Sequence, residues 1–407
     1  MNSIIKALSI LIISFIGADR INILSDKFDF FVFTPFILFS LIFIFFVFVF
    51  FIDELKFDWM LNNGISFNFF ATYLLTILIS LLFSIDVYIS LKRFILLMLI
   101  LIVFILILSL YNYTTLIDII IKGALLGSII FLIFNILLSV NWFSDTELTS
   151  VYINLIPDKI AYFVPRLGGY TLDVNRGSVI LLFFTYILYN FTNKKYIKFL
   201  IVINMLCILI SFSRTTYMML LILFLFNFSS SNKDGKIKIF KYSFFTMLIS
   251  ITLLGYLEFR NLISIELLIT ERLNILEFGR FTSSGIHLKL IYDGLNHAFG
   301  NLKILLFGTG FGTSYQLIEG YYWSGSKYGN YHSMYITSLV ECGLFNCVFF
   351  IIYSFVLPIY SSYKNIFLGF LIAVFFFNLF YQLNVEPMFW FAILLFYKTN
   401  FENQKKI

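Results

Sequence analysis

Long uninterrupted apolar runs recur from one end of the chain to the other, and they constrain the fold more than any motif does. LIFIFFVFVFF (41–51) and LLMLILIVFILILSL (96–110) are two of them. Crossing a hydrocarbon core of roughly 30 Å takes about 17 to 25 such residues as a helix. Hydrophobic residues make up 60% of the chain, aromatics 21% and charged residues only 12%, which leaves too little polar surface for a soluble globule. The expectation is an all-α polytopic membrane protein with about twelve transmembrane helices.

The expected spans are 3–17, 30–51, 67–84, 94–111, 117–140, 177–192, 199–212, 215–228, 242–257, 331–357, 366–382 and 387–397. The first begins MNSIIKALSILIISFIGADR, a basic start before a short apolar stretch, as in a signal peptide. No small-x-small site precedes Asp19, so this run is expected to remain as a span. Cys207, Cys342 and Cys347 all fall inside spans, which does not support a disulfide framework. No internal repeat, heptad array or soluble domain is legible. Residues 1–407 are expected to form one integral membrane domain with two long outer loops, 141–176 and 258–330.

Lysine sets the orientation, because short cytoplasmic loops collect positive charge. NKKYIK (193–198), NKDGKIKIFK (232–241) and KTNFENQKKI (398–407) share one side of the twelve-span arrangement. That side is expected to be the cytoplasm, with both termini in it. The arginines Arg20, Arg93, Arg166, Arg176, Arg214, Arg260, Arg272 and Arg280 fall on the opposite side or at its membrane edge. Guanidinium is a planar fork that grips phosphate or carboxylate bidentately, whereas ammonium is a hydrated point charge. For a single arginine, snorkelling to headgroups or pairing with Asp19, Asp173 or Glu277 explains as much. For the set, an anion-binding outer face explains more.

The polar chemistry is concentrated in the two long loops. The first carries RLGGYTLDVNRG, Arg166 to Gly177. The second carries ERLNILEFGRF (271–281) and HLKLIYDGLNHAFGNL (287–302), where Leu288, Ile291, Leu295, Phe299 and Leu302 share one helical face. Such a helix suits the membrane surface, and equally a packing role between spans. FGTGFGTS (307–314) lacks the βαβ setting of a dinucleotide loop; it reads as a turn whose backbone N–H groups are free to line an anion site. His332 opens the tenth span. The chain has three histidines, His287, His297 and His332, at no metal-ligand spacing, so a metal cluster is not expected. Histidine, titrating near pH ~6.5 when free, is the natural proton acceptor at neutral pH. Glu341 lies about 13 Å deeper on a straight helix and on its opposite face, a poor partner for His332.

An Arg-bearing stretch with Asp-x-Asn, then Gly-Arg, then Gly-x-Gly-x-Gly, then His followed by Glu-x-Gly resembles the bacterial O-antigen ligase and polymerase superfamily. It covers about residues 160–350. Arg166 through Gly177 also fits the Arg, ten residues, Gly spacing of O-antigen polymerase outer loops. The resemblance implies a metal-independent, cofactor-free glycosyltransferase of the inner membrane with GT-C-like architecture. Its implied donor is an undecaprenyl-pyrophosphate-linked oligosaccharide. It also implies contact with a chain-length regulator protein, and no nucleic acid. Arg166 and Arg280 match the family's pyrophosphate-binding arginines and His332 its catalytic histidine; Asp173 and Asn175 match the Asp-x-Asn element, which shapes the loop. Arg214 is a further candidate phosphate contact, followed by Arg176 and Arg272. Ser333 stands where ligases commonly show Asn after the histidine, and the composition resembles that of polymerases, so polymerase is favoured over ligase. A lipid-linked oligosaccharide flippase is the non-enzymatic alternative; it would place ionisable groups in mid-membrane along a path between leaflets.

Overall fold

The computed structural model describes residues 2–24, 33–144, 150, 152–160, 164–230, 252, 283–318, 330–361 and 365–405. Its helices are α1 (Asn2–Ser14), α2 (Pro35–Phe50), α3 (Asp58–Leu61), α4 (Gly64–Leu82), α5 (Val87–Leu110), α6 (Tyr113–Phe143), α7 (Val174–Phe191), α8 (Lys195–Ile210) and α9 (Arg214–Ser230). They continue with α10 (Ser283–Phe299), α11 (Leu302–Phe307), α12 (Ser314–Leu317), α13 (Met334–Ile351), α14 (Leu357–Ser361), α15 (Leu368–Phe377) and α16 (Pro387–Gln404). A π-helical turn, Ile352–Val356, joins α13 to α14.

The protein is mostly helical, and its apolar helices are those of a membrane protein. Among the described residues, α4, α5, α6 and the continuous Met334–Ser361 are each long and apolar enough to cross a bilayer; the bent pair Pro35–Phe50 and Ile52–Asn62 adds a fifth if counted as one span. Ser3–Ser14, Arg214–Ser229 and Leu368–Phe377 are apolar but shorter. Each run expected from the sequence falls on a helix, except 242–257, which apart from Thr252 lies outside the described residues. The all-helical expectation needs one addition. Asp158–Ile160 (β1) and Val164–Arg166 (β2) form an antiparallel hairpin in the first long loop, with Asp158 opposite Arg166.

Residue contacts group into two compact units: 1–55 with 110–273, and 56–109 with 274–407. In the first unit, α6 is the central element and its glycines set the spacing. A Cβ on Gly123 would lie 2.7 Å from Ile13 of α1, and one on Gly127 would lie 2.6 Å from the Phe184 ring of α7. Small residues four apart let helix backbones approach closely, which is how helices associate without a solvent-driven core. Buried polar groups fasten the contact: Ser14 Oγ donates to the Gly123 carbonyl at 3.2 Å, and Asn204 Nδ2 to Ser128 Oγ at 3.0 Å.

In the second unit, α16 is buried along its length from Pro387 to Phe401. A helix apolar on all sides belongs inside a protein or a membrane. The stretch KTNFEN, expected as a loose tail, continues this helix to Gln404, with Lys398 paired to Glu402 one turn on at 3.1 Å. An aromatic ladder fills the unit: Phe70 stacks on Tyr353 at 4.8 Å, and Tyr353 on Tyr397 at 5.2 Å. Gly343 interrupts α13 with φ +86°, where a Cβ would lie 2.3 Å from the Leu306 carbonyl oxygen.

Candidate functional site

Arginines of the first unit converge on RLGGYTLDVNRG, and the stretch is built to hold them. Gly169 takes φ +60°, donates its N–H to Asn135 Oδ1 at 2.8 Å, and sits so close to the Phe131 ring that no side chain fits. Tyr170 is buried and donates its hydroxyl to the Ser14 carbonyl at 3.1 Å. Asp173 caps α7, accepting from the Arg176 N–H at 3.0 Å. Asn175, in the first turn of α7, accepts from Arg166 Nη2 at 3.1 Å, while Arg166 Nε donates to the Ser211 carbonyl at 3.2 Å. The α8–α9 turn that presents Ser211 holds Phe212 at φ +53° and delivers Arg214 near enough to Arg166 for their like charges to act on each other. A guanidinium anchored through two of its nitrogens, with a second guanidinium beside it, is a fixed concentration of positive charge.

The other two described arginines of this unit have structural partners. Arg176 bridges to Asp19, whose other carboxylate oxygen accepts the Leu172 N–H at 2.7 Å. Arg20 is 2% exposed; its Nε donates to the Thr171 carbonyl at 2.7 Å, and its Nη1 to Asn154 and Ile156 carbonyls at 3.1 and 2.9 Å. The sequence suggests that Arg20→Lys would be silent. The structure adds a bracing role that bears on stability, because an ammonium cannot reproduce three directed contacts from one planar group. Arg260, Arg272 and Arg280 lie outside the described residues.

In the second unit the N–H groups of the glycine loop turn into the protein: Gly308, Thr309, Gly310 and Thr313 donate to backbone carbonyls, and Gly312 and Ser314 to a buried carboxylate. Glu341, 1% exposed in α13, accepts from Gly312 N–H at 2.8 Å and from Ser314 N–H and Oγ at 3.2 and 2.7 Å. Gly308, Gly310 and Gly312 all take positive φ, and Cβ atoms there would strike the Glu341 carbonyl oxygen, Ser84 and Arg93 respectively. Tyr315 extends the seam by donating to Asp86 at 3.0 Å. Gly-x-Gly-x-Gly and Glu-x-Gly are therefore two halves of one clasp, and the Glu341 donors come from a loop rather than a neighbouring helix. Replacing Glu341 by Gln puts an amide donor against N–H groups. The expected result is a loss of about 1–3 kcal/mol, read as a lower thermal transition of purified protein, with Glu341→Asp milder.

His332 projects from a tight turn at the mouth of α13. Its φ is +50°, uncommon for a residue other than glycine, and a strain of about 1–3 kcal/mol persists only where the surroundings enforce it. They do so here. Its N–H donates to Asn330 Oδ1 at 2.7 Å, Tyr331 and Ser333 on either side are buried, and the Met334 N–H is held by Asn378 and Tyr381 carbonyls, each at 2.9 Å. The His332 ring lies against that of His287 from α10, centroids 3.9 Å apart and planes tilted 32°. His297, ten residues further along α10, shares a hydrogen bond between Nδ1 and the Tyr331 hydroxyl at 2.8 Å.

The helical face of α10 is reversed from the simplest reading of its pattern. Leu290, Gly294 and Ala298 are buried, and a Cβ at Gly294 would meet Ile336 and Tyr331. The apolar stripe points outward instead, with Phe299 66% and Leu302 70% exposed. Small residues face α13 because they permit close approach, and the bulky ones are left on the outside.

The sequence overlooks Arg20 as a buried brace, the Ser211 carbonyl and His287. Asp19-Arg20 at a span end was the available signal for the first. No signal exists for His287, since 45 positions separate it from His332 and only packing unites them. No family model matches the chain, and no curated protein matches it.

Proposed function

We propose that the protein is an inverting glycosyltransferase of the O-antigen polymerase kind, lengthening a glycan carried on undecaprenyl pyrophosphate at the outer face of a bacterial inner membrane. In this reading about twelve spans form a GT-C-like architecture, with both termini cytoplasmic. The observation that carries it is Arg166, fixed by Asn175 and Ser211, with the charge of Arg214 within electrostatic reach of it. Two like charges held together favour a multiply charged anion such as pyrophosphate. Asp173 and Asn175 shape this corner; the resemblance adds Arg280 as a pyrophosphate-binding arginine, with Arg272 and Arg176 as weaker candidates.

His332 takes the proton of the acceptor hydroxyl as that oxygen bonds to the anomeric carbon. The bond from that carbon to the pyrophosphate oxygen breaks in the same displacement, and the electron pair leaves with the pyrophosphate, whose charge the arginines stabilise. The bilayer and the lipid-linked oligosaccharide are its immediate partners, with a chain-length regulator as a protein partner.

Purified protein in detergent is expected to lengthen a lipid-linked repeat unit without added metal or cofactor. A flippase leaves that substrate at one unit, and a ligase consumes it only when lipid A-core is supplied, so either pattern refutes the reading. Reporters fused after Lys195 and Lys236 should report cytoplasm, and those near Pro157 and Ser324 periplasm. A cytoplasmic Ser324 would remove the donor from reach.

A further inference from the structure

Two imidazoles from different elements meet face to face at the mouth of α13. His287 stands in the second turn of α10 and His332 on the strained turn before α13, with ring centroids 3.9 Å apart. Two imidazolium cations in contact repel, so the second proton binds such a pair less readily than the first.

We propose that His287 is the positioning residue for His332: it supplies the ring face that fixes the base, and it limits the pair to a single positive charge. The inference rests on the reading of His332 as the base, whereas the pairing itself does not. Other titratable groups on the packed elements are Lys289, Tyr292, Asp293 and His297 of α10, Tyr331 and Tyr381, and Tyr335, Glu341, Cys342 and Cys347 of α13. His297 is engaged with the Tyr331 hydroxyl, and Glu341 is enclosed by the glycine loop. Among the described residues, His287 is the ring in contact with His332.

Sharing one charge has a direct consequence for catalysis. The first proton bound by the pair makes the second harder to bind, so one imidazole stays unprotonated to lower pH than an isolated histidine would.

The chain has three histidines, so histidine-labelled protein gives three imidazole signals by nuclear magnetic resonance, assigned through single variants. Wild type, His287→Phe, His287→Ala and His332→Gln are titrated in detergent without substrate. In wild type the pair is expected to titrate in two steps separated by about one pH unit or more. In His287→Phe, which keeps a flat ring, His332 should titrate in one step lying above the lower wild-type step. The remaining His287 signal of His332→Gln should do the same, which guards against a misfolded Phe variant. Elongation should fall tenfold or more in His287→Ala and be largely recovered in His287→Phe. The proposal is overturned if His332 titrates identically with and without His287, or if Phe rescues no better than Ala. Two-step titration in a wild-type protein that elongates nothing would sink the glycosyltransferase reading alone.

Discussion

His332→Ala is expected to lower chain extension by about 10²- to 10⁴-fold, the usual contribution of a positioned general base, while the protein accumulates normally. Binding of the lipid-linked donor should survive, because guanidinium groups rather than the imidazole hold the pyrophosphate. The same residue sets the pH profile. A base works only when unprotonated, so the rate falls as pH drops through its titration, provided the chemical step limits turnover. Alanine carries the same Cβ as histidine, so the left-handed backbone stays about as strained as before, and the buried Tyr331 and Ser333 on either side still hold the turn. His297→Ala is a fair comparison, whereas His287→Ala, which the sequence alone would nominate for that purpose, is not: its ring lies on His332. Long chains made by His332→Ala at normal expression would move the base elsewhere, with Asp173 the next residue to test.

The arginines separate two kinds of effect. Arg166→Lys keeps the charge but loses the fork that reaches Asn175 and Ser211 together. Elongation should drop roughly 10- to 100-fold with little change in accumulation, and Arg280→Lys should behave alike. Arg20→Lys should do the reverse. Its guanidinium is buried and serves three backbone carbonyls, so the variant is expected to lose roughly 3 kcal/mol of stability and much of its accumulation. The specific activity of whatever folds should remain near wild type. Thermal melting and activity per folded molecule, measured on all three, check this. If Arg166→Lys instead melts early and turns over normally, the clamp is a brace and the anion site is misassigned.

Much of the architecture was legible in the pattern of hydropathy. Helices such as α5 and α6 are apolar over lengths that admit no other solution in a bilayer, so their existence follows from local sequence. The special character of Arg166 to Gly177 was legible too, because charge and glycine in a short stretch between apolar helices demand a specific reason. Its internal logic was not. Asp173 acts as a helix cap, Asn175 as an anchor and Arg176 as the partner of Asp19, and these roles depend on which chain segments lie alongside.

The sequence by itself determined that this chain is a helical membrane protein with its arginines clustered at loops and span ends, since transfer free energy and helical hydrogen bonding act residue by residue along a span. Only the tertiary structure decided which polar group serves which. The Gly312 and Ser314 N–H groups went to the Glu341 carboxylate, Arg20 became a brace rather than a bystander, and α10 turned its small residues inward. His287 came to rest on His332 across 45 positions of chain. The physical reason is that hydrogen bonds and ring contacts act over a few ångströms between atoms whose separation along the chain carries no information. Close packing of α10 on α13 fixes those distances, and hydropathy cannot.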